Sequence, residues 1–216
     1  FGACLADDMG LGKTIQVISF LEKMYENNKE SHVLLIVPAS LLGNWSKEID
    51  KFAPRMTYHI LHGKTNILDE DCFATITTYG MALRNEYLQE RVWDCLILDE
   101  AQAIKNPATK QTRAIKKIPN KMRIAMTGTP IENDLSNLWS LFDFLNKGLL
   151  GSATDFKNYT KKVQAHPEYI TKLKMMVSPF ILRRLKTDKS IISDLPDKME
   201  ITEHVDLSKR QIVLYR

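Results

Sequence analysis

The sequence has no apolar run that approaches the length of a bilayer span, and its first residues lack the basic-then-apolar order of a signal peptide. No membrane association is expected. Cysteine is scarce. Cys4, Cys72 and Cys95 are odd in number and not closely paired, which argues against a disulfide framework and for a reducing, intracellular setting. Cys4 and Cys95 sit in apolar runs, where cysteine serves as a small buried residue. No cysteine or histidine is spaced to join His62 around zinc, so His62-Gly63-Lys64 reads as a turn after a strand. Internal repeats and low-complexity tracts are missing too. Acidic residues are absent from Lys105 to Arg123, a stretch that carries seven cations.

What remains is an ordinary globular composition: 216 residues, 44% hydrophobic and 26% charged, with a net charge of +4 that permits a polyanionic partner without requiring one. Short apolar runs alternate with amphipathic segments. FGACLA, VLLIVP, TYHILH, ATITTY, CLILD and RIAMTG read as strands, and TIQVISFLEKMYE and SLLGNWSKEIDKF as helices, the second capped by Ser40. Such β-α order implies a mainly parallel sheet flanked by helices, an α/β fold. From Asp134 the strands stop, and 135–177 has helical periodicity broken near Gly148, Gly151 and Pro167, a helical appendage. The expected organisation is a core over 1–147, the appendage and a return to the core over 148–193, and a linker with the start of another segment over 194–216. Because 1–6 already reads as a buried strand and Arg216 falls within a helical pattern, the sequence is expected to be part of a longer chain.

Three segments carry chemistry. Asp7 to Thr14, DDMGLGKT, follows a strand and opens a helix, where backbone N–H groups along Asp7, Met9, Gly10, Leu11 and Gly12 can wrap a phosphate chain. Gly10 and Gly12 allow close backbone approach, Lys13 can neutralise β and γ phosphates, and Thr14 offers a hydroxyl to Mg²⁺. Asp7 stands where the general phosphate-loop pattern has glycine. The apolar strand CLIL ends in Asp99 and Glu100, followed by Gln102, and strand ends of a parallel sheet face the ligand crevice. Asp99 is the candidate Mg²⁺ ligand and Glu100 the candidate base for the attacking water, with Lys13 completing the catalytic set. MTGTP at 126–130 closes another strand with hydroxylated residues, Thr127 and Thr129, that could sense the γ-phosphate.

LADDMGLGKT, VPASLLGNWSKEIDKFAP, ITTYG, LILDEAQAIKN, MTGTPIEN, LWSLFDFLNKGLLG and FILRRLKTD together resemble the SWI/SNF-type ATPases of the DEAD/DEAH helicase superfamily, in that family's order and across nearly the whole chain. The resemblance implies the N-terminal RecA-like lobe of a two-lobed motor that uses ATP and Mg²⁺ to move on double-stranded DNA and to remodel or displace DNA-bound proteins. It implies DNA-facing positions at Ser40 and Trp45 and at Thr77, Thr78 and Tyr79, and a coupling role for Gln102 and for Thr127 and Thr129. Hydroxyls at loop and helix starts suit sequence-independent backbone binding. Trp45 could instead simply pack its helix. For the basic run, with Asn106 as cap and Pro107 at the first helical position, a solvated helix face and a phosphate-binding face are equally open. In that family a second lobe supplies arginine fingers and an upstream glutamine recognises adenine. Neither is in this sequence, so these residues alone are expected to turn ATP over poorly. A nucleotide-switched binding module and a DEAD-box RNA helicase lobe are the alternative readings.

Overall fold

A computed structural model describes residues 1–63, 69–128, 135–166 and 168–188. The strands run β1 Gly2–Leu5, β2 Val33–Val37, β3 Tyr58–Leu61, β4 Ala74–Thr78, β5 Trp93–Leu98, β6 Asn120–Met126 and β7 Ile181–Leu182. Among the described residues they form one sheet, order β3-β4-β2-β5-β6-β1-β7, in which every pairing is parallel. Parallel strands need covered faces, and their sequences obey this. In β2, Val33, Leu35 and Val37 point to one core and Leu34 and Ile36 to the other, all five without exposure. The first core is closed by α1 (Lys13–Asn27) and α2 (Leu42–Phe52), through Val17, Ile18, Leu21, Trp45 and Ile49. On the opposite face lie α3 (Tyr79–Arg84), α4 (Glu86–Glu90), α5 (Lys110–Lys117) and α6 (Leu135–Leu145).

The α6 helix is apolar on two sides. Leu141, Phe144 and Leu145 enter the sheet core, whereas Leu138 and Phe142 join Phe156, Leu173 and Val177 in a third cluster with α7 (Ala153–Ala165) and α8 (Glu168–Val177). Ser152 caps α7 in a reciprocal capping box with Asp155. Residues 1–185 make one compact unit. No helix among the described residues is long and apolar enough to cross a membrane.

Three local expectations are corrected. Strands do not stop at 134: β7 adds to the sheet beside β1, too short and isolated an apolar pair to stand out as a run. Ser40 does not cap α2; it lies inside a 3-10 turn, Ala39–Leu41, whose Leu41 N–H donates to the Pro38 carbonyl. Asn106 and Pro107 do not start α5 either. The Asn106 side chain accepts from the Ala108 N–H, a local turn that competes with helix, and Thr109 becomes the cap by accepting from Thr112.

The basic run divides in the structure. Lys116 pairs with Asp143 at 2.9 Å and donates to Ser140, Lys121 pairs with Asp94, and Arg123 donates to Asn120 and the Phe144 carbonyl. Lys105, Lys110, Arg113 and Lys117 stay exposed.

Burial pushes the Cys4 and Cys95 thiols up to about 12, and burial with a hydrogen bond to Asp69 raises Cys72 to about 11. Alkylation of native protein near pH 8 is therefore expected to be slower at Cys4 and Cys95 than in the unfolded chain by roughly a hundredfold or more, each pKa unit being a factor of ten in thiolate. Mass spectrometry of iodoacetamide-treated protein with and without denaturant measures this, and equal labelling in both would refute it.

Candidate nucleotide site

The register brings three strand ends level: Leu98 of β5 lies opposite Ala125 of β6, and Leu5 of β1 opposite Met126. Backbone bonds continue the alignment past the strands, from Thr127 N–H to the Leu5 carbonyl and from Asp99 N–H to the Ile36 carbonyl. The loops after β1, β5 and β6 thus share one edge of the sheet. They carry DDMGLGKT, Asp99-Glu100-Ala101-Gln102 and Thr127.

Glycine is required in the first loop. Gly10 and Gly12 have φ of 82° and 76°, the left-handed region that side chains disfavour, and a Cβ on Gly12 would meet nothing within 4 Å. Gly12 is the N-cap of the 15-residue α1, with no side-chain cap and no acid in the first turn. The leading N–H groups of α1, and the positive end of its dipole, are therefore presented to an anion from outside the helix. Lys13 Nζ lies over the loop, donating to the carbonyls of Asp7 at 2.7 Å and Asp8 at 3.3 Å. A phosphate chain fits this cradle.

Asp7, the departure from glycine, is fully buried, and its carboxylate is held by Arg184 and Gln16. It accepts from the Arg184 backbone N–H at 2.8 Å, from the Arg184 guanidinium and from Gln16. Burial alone would raise its carboxyl, but the hydrogen bonds from Arg184 and Gln16 outweigh burial and hold it below the usual carboxylate value. What Asp7 offers the loop is its backbone.

Asp99 is 6% exposed. One carboxylate oxygen accepts from the indole N–H of Trp45 at 2.8 Å, the other from the Glu100 backbone N–H at 2.9 Å, and its carbonyl accepts from the Tyr79 hydroxyl at 2.7 Å. Burial, helped by Glu100 and opposed by Trp45 and Lys13, pushes this carboxyl up. Both donors to the carboxylate, the Trp45 indole and the Glu100 backbone, are neutral, so a divalent cation fits here as the countercharge, and Thr14, the second residue of α1, carries a hydroxyl of the kind that would join it. Glu100 has φ 52°, unusual for a residue with a side chain, a strain of the sort found at functional sites. Its carboxylate accepts from Gln102 at 2.7 Å, and Gln102 accepts from the Thr127 hydroxyl at 3.1 Å, so the second and third loops are linked side chain to side chain.

The whole chain, residues 1–216, matches the SNF2-related domain family. It belongs to that family. Within it, the chain is 43% identical over its full length to the putative ATP-dependent helicase/translocase YwqA of Bacillus subtilis, covering 25% of that protein. It is 36% identical to the chromatin-remodeling ATPase INO80 of Saccharomyces cerevisiae, with 98% of this chain and 16% of that one covered. The Sulfolobus solfataricus SWI2/SNF2 ATPase core in complex with dsDNA superposes with a TM-score of 0.85 at 46% identity, covering all of this chain and 47% of that one. The RecA-like fold and the SWI/SNF-type resemblance expected from the sequence are both established. This SNF2-related domain spans about half of that solved core and a quarter or less of the two curated relatives.

The other expected positions fall in three groups. Gly10, Leu11, Gly12, Lys13, Thr14, Asp99, Glu100, Gln102 and Thr127 come together at the common edge, with Met9 exposed beside them. Ser40 is exposed after β2, but the Thr77 hydroxyl is buried on the Leu61 carbonyl and the Thr78 hydroxyl caps α3. Trp45 and Tyr79 are buried with their polar atoms on Asp99, so Trp45 is placed to pack and to donate rather than to stack on a base. Thr129 and 194–216 lie outside the described residues. Sequence reasoning missed Arg184 as a partner of Asp7; a carboxylate where the loop pattern has glycine was the available signal.

Proposed function

We propose that this chain is the ATP-binding lobe of a DNA-dependent ATPase that translocates on double-stranded DNA and remodels or displaces bound proteins. The observation that carries the reading is the convergence, on one sheet edge, of the uncapped α1 N-terminus bearing Lys13 with the adjacent carboxylates Asp99 and Glu100. ATP phosphates bind the backbone N–H groups from Met9 to Thr14, with Lys13 leaving the Asp7 and Asp8 carbonyls for the β and γ oxygens. Asp99 and Thr14 would hold Mg²⁺, which when bound offsets charge developing on the phosphate oxygens. Glu100 takes the proton of the attacking water. Gln102 holds the Glu100 carboxylate and reports through Thr127 to the β6 loop.

Duplex DNA lies along the loops after β2 and β4. Ser40 makes the exposed hydroxyl contact to phosphate, while Thr77, Thr78, Trp45 and Tyr79 shape that surface from within. A second RecA-like lobe closes over the nucleotide and supplies cationic groups. The names of the relatives, a helicase/translocase and a chromatin-remodeling ATPase, and the DNA-bound archaeal core support this reading.

The test uses the full-length protein. ATP turnover is measured with no nucleic acid, duplex DNA, single-stranded DNA and RNA. Duplex DNA is expected to stimulate most; preferential stimulation by RNA would replace the DNA motor with an RNA helicase.

A further inference from the structure

Asp99 is reached from two helices, α2 and α3, by side chains that no phosphate-site motif includes. Trp45, the fourth residue of α2, is 1% exposed and packs among Leu42, Ile49 and Met126, yet its one polar atom leaves that core to meet an Asp99 carboxylate oxygen at 2.8 Å. Tyr79, the first residue of α3, is 7% exposed and places its hydroxyl on the Asp99 carbonyl at 2.7 Å. The remaining carboxylate oxygen is fixed by the Glu100 N–H. Each oxygen thus gives one lone pair to a neutral donor and keeps the other, and the carboxylate plane cannot rotate without breaking one of these bonds. A carboxylate on a short strand end has two side-chain torsions to lose on binding a cation; here both are already fixed.

We propose that Trp45 and Tyr79 are positioning residues for the Mg²⁺ site, holding the Asp99 carboxylate in the orientation that receives the cation of bound Mg²⁺-nucleotide. The proposal rests on the nucleotide-site reading above. Neither residue touches nucleotide or metal; both act through Asp99. Indole and phenol suit the task because each carries a single donor on a rigid ring, so the hydrogen bond is anchored by packing. Partners of this kind set metal affinity through ligand orientation.

The test is a Mg²⁺ titration of fluorescent ADP binding to full-length native, Trp45→Phe and Tyr79→Phe proteins, with nucleotide affinity in EDTA and the thermal midpoint measured alongside. Trp45→Phe removes the N–H and keeps a ring. It is expected to raise the Mg²⁺ concentration at half-saturation by roughly tenfold or more, with metal-free nucleotide affinity unchanged; Tyr79→Phe is expected to raise it by less. An unaltered Mg²⁺ midpoint in folded Trp45→Phe, or equal losses with and without Mg²⁺, would overturn the proposal and leave Trp45 a packing residue. If Trp45→Phe does not fold, Tyr79→Phe decides on the same criteria, since it loses only a hydroxyl. Native protein that binds ADP with no response to Mg²⁺ would instead overturn the Mg²⁺-nucleotide site itself.

Discussion

Glu100→Gln in the full-length protein is expected to lower DNA-stimulated ATP turnover by roughly a hundred- to ten-thousandfold, the range for losing a general base, while nucleotide affinity stays within about twofold. The geometry separates the two quantities. In the proposed site, binding comes from backbone groups of the β1–α1 loop and from Lys13, none of which Glu100 touches. Glutamine is the same size, and its amide oxygen can still accept the hydrogen bond from Gln102, so the side-chain link to Thr127 survives. Only the ability to take a proton is lost. Because that ability matters in the transition state and not in the ground state, kcat and kcat/KM are expected to fall together. Steady-state kinetics with fluorescent-nucleotide binding on the same preparations measures both. A variant that retains a tenth of native turnover would remove Glu100 from the role of base.

Arg184→Ala is expected to destabilise the fold by about 2–3 kcal/mol, somewhat below the ~3–5 of breaking a fully buried pair, because the Arg184 side chain keeps 34% of its exposure while Asp7 keeps none. Removing the guanidinium leaves the buried Asp7 carboxylate with only the Gln16 amide and the Arg184 backbone N–H. Asp7→Asn in the same background should recover part of the loss, since the amide carries no charge to bury. The pH dependence follows from the sign of the shift. Asp7 is depressed in the folded protein, so its contribution is complete above the unfolded value of about 3.9 and is lost as pH falls through the lower folded value. Native protein should therefore lose stability more steeply than Arg184→Ala between about pH 4 and the acid transition. Chemical denaturation at pH 7 measures the first effect and a series from pH 4 downward to the acid transition the second, and identical pH slopes for the two proteins below pH 4 would show that the pair contributes nothing.

The nucleotide loop, the acidic strand end and the parallel sheet were legible because each is local. Glycines at fixed offsets, a lysine before a hydroxyl and a short apolar run before two acids are patterns within about ten residues, and the backbone alone turns them into a site. The partners of those patterns were not legible. Trp45 is 54 residues from Asp99 and Arg184 is 177 from Asp7, separations that no periodicity or spacing encodes. Trp45 showed this most clearly, because its two expected uses, packing its helix or facing DNA, did not include donating to the Asp99 carboxylate. The misread helix starts have another cause. Asn106 and Ser40 are good capping types, but Asn106 closed a turn of its own and Ser40 fell inside a 3-10 turn, choices set by neighbouring backbone geometry.

The clasp between Asp7 and Arg184 also bears on the order of synthesis. The strand that leads into the phosphate loop leaves the ribosome well before the cation that compensates its buried carboxylate, which follows Asp7 by 177 residues, and before the edge strand beside it. Contacts this distant in sequence form slowly because chain closure precedes any gain from them. On a growing chain the nucleotide loop is thus an early product and a late arrival, unable to settle until residue 184 has emerged. A nascent chain stalled short of that point should retain the pairings of β2 with β4 and β5, with the β1–α1 loop still unfinished.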